Sequence, residues 1–487
     1  MSDHRHWREE CGVVGIAGVP AAAELASLAL HALQHRGQES AGITVADGHR
    51  LETHKKMGLV ADVFDEETTR QLTGNSAIGH VRYSTSGSSH ILNAQPLQVA
   101  SHRGTVSVAH NGNIVNAAEL RHEMEKDGSI FSTTSDTETI LHLLARNSSE
   151  RAEDALLEIL PRVQGAYSLV MLTRDKVVAA RDPYGFRPLC LGRYQDSYVV
   201  ASESCAFDII GATYLRDIEP GEMVVLGEGE LKSRRLPVEA PEKRCVFEHV
   251  YFSRPDSTVY GANVETVRRR SGEILGREAP ADADLVCAVP DSSNTAALGF
   301  ARRTGLPFEL ALIRNHYVGR TFISPAQKVR DMSVRIKFNP VADVIRGKRV
   351  VMVDDSIVRG TTMRKLVKLM RQAGAEEVHL RIASPPVTNP CYYGIDTPVR
   401  NELIASSHTV DEIKTYLRVD SLAYLSLPGL LEAAGEGDKY CEACFTGNYP
   451  ISFGEVAGKD VFDRHAAGAK IPVKPLTADS APEGDDG

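Results

Sequence analysis

No uninterrupted apolar run in this 487-residue sequence approaches the ~20 residues that a membrane-spanning helix needs. The opening MSDHRHWREE is polar and charged with no apolar core, so it is not a secretory signal. Positive charge is not in excess: 55 Lys and Arg against 64 Asp and Glu give a net charge of −9, which argues against a general nucleic-acid surface. The eight cysteines come without an export signal and are not read as a disulfide framework; a reducing cytoplasm is the expected setting. There is no internal repeat. What is present, 42% hydrophobic residues and 39 glycines, suits a soluble α/β enzyme, and the length is ample for two domains of roughly 200 residues each. The polar, proline-bearing stretch Lys232–Lys243 is the expected boundary, and VKPLTADSAPEGDDG (473–487) reads as a disordered acidic tail.

The most informative segment is VVMVDDSIVRGTT, Val350–Thr362. Four apolar residues, Val350 to Val353, suit a strand buried in a parallel sheet. Asp354 and Asp355 then emerge at the strand's carboxyl end, where open α/β sheets bind ligands. Ser356 to Thr362 turn the chain into a helix over Met363–Arg371, with amides and hydroxyls facing an anion at its positive end. Two carboxylates beside such a cradle suit a sugar phosphate; a generic acidic turn before a helix is the plainer reading. Leu285–Val289 reads as a second buried strand, followed by Pro290-Asp291-Ser292-Ser293-Asn294 and a helix over Thr295–Arg303; Glu377–Ala383 reads as a third strand. These segments resemble the type I phosphoribosyltransferases, which bind 5-phosphoribosyl-1-pyrophosphate (PRPP) with magnesium. The resemblance implies that Asp354 and Asp355 hold the ribose hydroxyls, directly or with one Mg2+ per subunit. Ser292 supplies a further oxygen near that ion, and Ser356, Arg359, Gly360, Thr361 and Thr362 receive the 5′-phosphate. It also implies a closing loop over Arg320–Arg330, whose basic residues, Lys328 among them, suit pyrophosphate; the plainer reading is a solvated loop.

The first half opens, after the polar leader, with Cys11-Gly12-Val13-Val14-Gly15-Ile16. Taken alone, Cys11 is an ordinary buried cysteine. Behind it come His35-Arg36-Gly37-Gln38-Glu39-Ser40, Gly79-His80-Val81-Arg82-Tyr83-Ser84-Thr85, His110-Asn111-Gly112-Asn113 and Thr134-Ser135-Asp136-Thr137-Glu138. Singly these have plain readings: a hairpin turn at Asn111-Gly112, a capping box over Ser135–Glu138, a surface charge at Arg82. In this order behind a Cys-Gly-Val start they resemble the class II glutamine amidotransferases, which are N-terminal-nucleophile hydrolases. The resemblance implies removal of residues 1–10, so that Cys11 becomes the nucleophile with its own α-amine as base. Asn111 and the Gly112 N–H form the oxyanion hole, Arg82 grips the glutamine α-carboxylate, and Asp136 accepts from its α-ammonium group. It implies a glutaminase domain over 11–235 with two antiparallel sheets between helix layers, the αββα fold, ahead of a phosphoribosyltransferase domain over 245–450 with a mainly parallel sheet. Short apolar runs at Ile43–Ala46, Ala77–Arg82, Val106–His110, Tyr167–Leu172, Lys176–Arg181 and Tyr198–Ala201 agree. Asp182–Pro188, DPYGFRP, also resembles the family and is given a structural role.

The two halves in this order, over residues 11–450, resemble the amidophosphoribosyltransferase family, in which glutamine-derived ammonia, passed internally, displaces pyrophosphate from PRPP to give 5-phosphoribosylamine. Cys441-Glu442-Ala443-Cys444 is a CxxC pair suited to metal or cluster ligation, with a redox dithiol as the competing reading. The branch of the family with a cleaved leader carries one [4Fe–4S] cluster per subunit, and the matching residues are Cys245, Cys391, Cys441 and Cys444. Four thiolates suit zinc as well, and spacing does not choose between them. Cys190, Cys205 and Cys287 read as packed thiols. The family further implies purine nucleotides as feedback inhibitors and a homotetramer. Two rival readings are another class II amidotransferase, which has no need of the PRPP segment, and a non-catalytic PRPP sensor, against which the complete set of site residues weighs.

Overall fold

The computed structural model describes residues 11–451 apart from 84–88, 228, 316–333, 335 and 398. The leader, Lys328 with the rest of the Arg320–Arg330 loop, and the acidic tail lie outside the described residues.

The first domain is built from strands β1 (Gly12–Ile16), β2 (Ser40–Ala46), β3 (Leu51–Met57), β4 (Ser76–Arg82), β5 (Leu97–Ser101), β6 (Gly104–Ile114), β7 (Gly165–Leu172), β8 (Val177–Arg181), β9 (Cys190–Tyr194), β10 (Ser197–Ala201), β11 (Thr213–Asp217), β12 (Glu222–Leu226) and β13 (Leu231–Arg235). One antiparallel sheet runs β11-β9-β10-β1-β4-β2-β3 and the other β13-β12-β8-β7-β6-β5. Their facing side chains, among them Val13, Ile78, Ala109, Val170, Val177, Ala179 and Val200, form a core between the sheets. The outer face of the first sheet packs on helices Ala22–Ala32 and Cys205–Ile210, and that of the second on helices including Thr137–Arg146 and Ala152–Ile159. Period-two alternation thus feeds one core between the sheets and one under each helix layer, giving the αββα order. The boundary stretch is only partly linker, because residues 232–235 complete β13 against β12.

In the second domain a parallel sheet runs Leu285–Ala288, Arg349–Asp354, Glu377–Ile382, Ser421–Tyr424. Val286, Val351 and Val353 face helices Val264–Glu278 and Asn294–Thr304, while Leu285, Cys287, Val350 and Met352 face helices Thr361–Gln372 and Val410–Leu417. Both sheet faces are therefore covered, which is why these strands read as continuous apolar runs. Helix Thr361–Gln372 buries Met363, Leu366, Val367 and Met370, an i, i+3, i+4, i+7 stripe.

The two domains meet across buried charge. Arg36 and Arg187 of the first domain and Glu248 at the start of the second are wholly inaccessible, as is Glu203. Arg36 donates from Nη1 and Nη2 to Glu248 at 3.0 and 2.8 Å and also pairs with Glu203. Arg187 Nη1 reaches Glu248 Oε1 at 3.2 Å. Ser253 Oγ donates to Glu248, and Ser257 Oγ and the Arg254 N–H donate to Glu203. The DPYGFRP loop completes the junction: the Tyr184 and Phe186 carbonyls accept from the Lys243 and Cys245 amides, and Tyr260 Oη also donates to Phe186 O. Asp182 organises that loop by accepting from the Tyr167, Tyr184 and Phe186 amides. Removing one member of such a network strands its partners in a dry interior. Glu248→Ala is expected to lower unfolding free energy by about 3–5 kcal/mol, whereas truncating exposed Glu432 should change it by less than about 0.5 kcal/mol. Urea titration followed by circular dichroism measures both, and comparable midpoints for the two variants would contradict the assignment.

Candidate active site

Cys11 is buried immediately before β1, the central strand of the first sheet. Its carbonyl accepts from Arg36 Nε at 3.1 Å, so the network at the domain junction also holds the backbone of this residue. Its Sγ lies 3.4 Å from the Tyr83 carbonyl. Burial pushes the thiol up to about 11; a backbone hydrogen bond with Tyr83 and the charge of Arg82 oppose this, and the negative charges of Asp136 and Glu39 reinforce it. Arg82 and Asp136 are thus close enough to act on the thiol, although 54 residues separate them in sequence.

The plain readings of the individual motifs do not describe these residues. Arg82 is no surface charge: it is 3% exposed at the end of β4 and lies 3.8 Å from Glu39. Asn111 and Gly112 are not in a turn; they sit within β6, paired with Ser168 and Tyr167 of β7. Asp136 caps no helix, because its Oδ2 accepts from the Ile114 amide at 2.9 Å, and Glu138 turns back to the Ser132 and Thr133 amides rather than forming a capping box. Asp136 is therefore tied to the end of β6, two residues beyond Gly112.

Ser202 was not anticipated from sequence. Its Oγ accepts from the Val13 amide at 2.9 Å and lies 3.4 Å from Asn111 Nδ2, joining the strand after Cys11 to the Asn111 side chain. Asn111 Oδ1 is buried without a partner among the described residues. With the amide turned over, the Ser202 hydroxyl donates to Oδ1 and the NH2 group takes the partnerless side, the orientation that presents a donor to an anion. A lone serine after a strand carries no sequence signal for this. Arg36 does lie in the quoted HRGQES segment, yet nothing local marks it as the group that holds the Cys11 carbonyl.

In the second domain, Asp354 and Asp355 lie at the carboxyl end of their strand against the Pro290–Ser293 turn. Ser293 Oγ donates to Asp354 at 2.9 Å, Ser292 Oγ donates to Asp355, and Ser356 Oγ donates to Asp355 at 2.6 Å. Burial raises both carboxyl pKa values above the ordinary range, and for Asp354 the neighbouring Asp355 charge adds to it. Gly360 precedes helix Thr361–Gln372, so Thr361 and Thr362 occupy its first turn. Arg359 is ion-paired with Glu402.

The four cysteines Cys245, Cys391, Cys441 and Cys444 also come together. Arg244–Cys245 pairs in parallel with Tyr440–Cys441, placing Cys245 opposite Cys441 in register. Burial raises the Cys444 thiol pKa, and Cys245, Cys441 and Cys391 add to the rise, so all three are neighbours. Burial likewise pushes Cys441 up to about 12. The Tyr393 amide donates to Cys391 Sγ at 3.3 Å. Cys190, Cys205 and Cys287 are buried free thiols, as their contexts suggested.

Family comparisons agree with this arrangement. The model of the glutamine amidotransferase domain matches residues 80–208, and that of the phosphoribosyl transferase domain matches 265–384. An Arabidopsis thaliana chloroplastic amidophosphoribosyltransferase is 54% identical over 91% of this chain and 80% of its own length. The Bacillus subtilis amidophosphoribosyltransferase is 50% identical over 92% of this chain and 96% of its own. The chain belongs to the amidophosphoribosyltransferases. Two solved structures superpose on it at 48% identity: an allosteric regulatory enzyme of purine biosynthesis, with a TM-score of 0.89 over 93% of this chain and 99% of that one, and the B. subtilis glutamine PRPP amidotransferase complexed with ADP and GMP, at 0.88 over 92% and 99%. The reaction of this amidophosphoribosyltransferase is the glutamine-dependent amination of PRPP in purine biosynthesis. Among its described residues no helix is long and apolar enough to cross a membrane.

The raised carboxyl pair has a consequence for stability. A folded-state pKa above the unfolded value means the folded chain holds the proton more tightly. The contribution favours folding below the usual carboxylate range and is lost as pH rises through the raised values. Asp354→Asn, which stays neutral, is expected to melt higher than the parent at pH 8 without divalent cations and to lose that advantage at pH 4. Scanning fluorimetry across this range decides it; equal melting at pH 8 would show that the pair is not strained when charged.

Proposed function

We propose that glutamine is hydrolysed at Cys11 and that the ammonia passes internally to the Asp354–Asp355 site, where it displaces pyrophosphate from PRPP. The observation that carries this reading is the convergence of the Arg82 and Asp136 charges on a buried thiol beside the Asn111–Gly112 strand. A thiol held near 11 is protonated at neutral pH and needs a base. Removal of residues 1–10 frees the Cys11 α-amine at that place. The amine takes the thiol proton, and Sγ attacks the glutamine amide carbon. The oxyanion forms against the Asn111 amide and the Gly112 N–H, while Arg82 and Asp136 hold the α-carboxylate and α-ammonium groups. The C–N bond breaks as the amine returns its proton to the leaving ammonia, and water hydrolyses the thioester to glutamate.

At the second site, Asp354 and Asp355 hold the ribose hydroxyls, and Ser356, Gly360, Thr361 and Thr362 receive the 5′-phosphate at the helix N-terminus. Arg359 joins that cradle once released from Glu402, and Lys328 meets the pyrophosphate. The C1–oxygen bond breaks, pyrophosphate departs, and ammonia bonds through nitrogen to C1, giving up one proton to the departing pyrophosphate or water. The oxygen-rich set of Asp354, Asp355 and Ser292 suits one Mg2+, which takes its other ligands from water and substrate phosphates and supplies charge neutralisation when bound.

The four cysteines suit one [4Fe–4S] cluster per subunit. Among the described residues no three His, Cys, Asp or Glu side chains close on a single ion. Four thiolates suit zinc as well; the resemblance to the family branch with a cleaved leader supports the cluster. The amide donated to Cys391 Sγ is the kind of bond that stabilises a ligating thiolate. Such a cluster fastens the segment 440–445 to the start of the domain. Purine nucleotides as inhibitors, a homotetramer and a cytoplasmic setting complete the proposal; the solved B. subtilis complex with ADP and GMP supports the first.

Cys11→Ala is expected to abolish glutamine-dependent amination while ammonia-dependent amination persists within about twofold, read by pyrophosphate release; equal loss of both would refute two separate sites. Asp354→Ala should lose both activities. In chain that retains residues 1–10, alkylation of Cys11, followed by peptide mass, should rise with pH toward a midpoint of about 11. Removing the leader should shift that midpoint down, and an unchanged midpoint would remove the α-amine from the mechanism.

A further inference from the structure

The glutaminase strand that carries Asn111 and Gly112 is not walled by its own domain alone. The segment Tyr392-Tyr393-Gly394 of the second domain lies directly against it. Asn113 Nδ2 donates to the Tyr392 carbonyl at 2.9 Å. Arg187 Nε, of the DPYGFRP loop, donates to the Tyr393 carbonyl at 2.8 Å, and the Tyr393 ring stacks on Phe186 at 4.2 Å between centroids. Gly394 then meets Gly112 backbone to backbone: a Cβ built on Gly394 falls 3.0 Å from Gly112 Cα and 3.1 Å from Gly112 C. Gly112 has no room on its other side, because a Cβ there falls 2.0 Å from the Ala166 carbonyl and 2.9 Å from His110 Nε2. Both glycines have positive φ, +149° and +108°, backbone that L side chains rarely adopt. Gly112 is therefore clamped between β7 and the second domain, with its orientation fixed from both sides.

We infer that Gly394, with the Tyr392 carbonyl, is a positioning element for glutamine hydrolysis: it is the rear wall that holds the Gly112 peptide in its oxyanion-binding orientation. The inference rests on the reading of Asn111 and Gly112 as oxyanion donors. A preorganised donor is effective only while its orientation is fixed before charge develops, and loss of one donor costs about 10²–10³-fold in kcat. Gly394→Ala inserts a methyl group tighter than ordinary contact and displaces that peptide without touching the thiol. Asn113→Ala removes the tether to Tyr392 and adds no atoms.

Both variants, made in the full chain and matured as the parent is, are compared for glutamine hydrolysis, ammonia-dependent amination of PRPP and alkylation of Cys11 by chloroacetamide. Gly394→Ala is expected to lower kcat for glutamine hydrolysis by about tenfold or more, with KM for glutamine, ammonia-dependent turnover and alkylation rate each within about twofold. Asn113→Ala should move the same quantity in the same direction by a smaller factor. A role confined to folding would lower all of these together. Should Gly394→Ala fail to fold, Asn113→Ala decides. An unchanged hydrolytic kcat there, beside a control Asn111→Ala that loses hydrolysis, overturns the wall; a control that keeps full hydrolysis overturns the oxyanion reading on which it rests.

Discussion

The rest of the structure depends on a set of charges buried where the two domains meet. Arg36, Arg187, Glu203 and Glu248 balance in sign and are all inaccessible. Removing an ion from water costs several kcal/mol, recovered only when partners and hydrogen bonds are complete, so such a network specifies geometry more than it adds stability. The geometry it specifies is functional. Arg36 donates from its Nη atoms to Glu203 and Glu248 and from Nε to the Cys11 carbonyl, so the placement of Cys11 follows from how the second domain begins. Arg187 spends Nε on Tyr393 O and Nη1 on Glu248, linking the start of that domain to a loop some 140 residues further along.

Both chemical centres are built by burying groups that burial disfavours when charged. At Cys11 the consequence is a thiol kept protonated until a base is supplied, with Arg82 and Asp136 already arranged around it. At the second centre it is a carboxyl pair strained when ionised, relieved only in part by the hydroxyls of Ser292, Ser293 and Ser356. On the proposed reading a cation and a polyhydroxyl substrate relieve this strain on binding, so free-state stability and affinity are opposed at the same atoms.

The sequence was legible where a rule acts locally. The buried runs at β2, β4, β6, β7, β8 and β10 were visible as apolar stretches, and Val350–Val353 as a strand covered on both faces. The strands that escaped include all four sheet edges, β3, β5, β11 and β13. An edge strand is half-wet, so LETHKKM and LKSRR show no apolar run, and residues 232–235 fell into the supposed boundary for that reason. The candidate glutaminase residues were legible only as an ordered series of motifs, since each member has a common local use. Tertiary context then overrode local preference: Asn111-Gly112, a favoured turn pair, lies inside an eleven-residue strand. Ser202 and Glu248 were not legible at all. Arg36 and Glu248 are 212 residues apart, and nothing in either neighbourhood announces the other.

The return of the second domain to the first has a physical logic. A glutaminase that hydrolyses glutamine without an acceptor loses its ammonia to solvent, so the two half-reactions gain from sharing structure. Shared catalytic side chains would compromise each centre's electrostatics, since a thiol and a phosphate cradle need opposite surroundings. Backbone contact avoids that conflict: Gly394 brings no charge, and the Tyr392 and Tyr393 carbonyls are bound by Asn113 and Arg187 without entering the centre. On the proposed reading the same loop begins with a cluster ligand, Cys391, whose Sγ already accepts the Tyr393 amide. Anchoring one end of a four-residue loop to a rigid inorganic group and the other to Gly112 restricts the backbone between them more than packing alone would. On the same reading the cluster cysteines serve the glutaminase centre through this loop, as the anchor of a stiff wall behind the oxyanion donor.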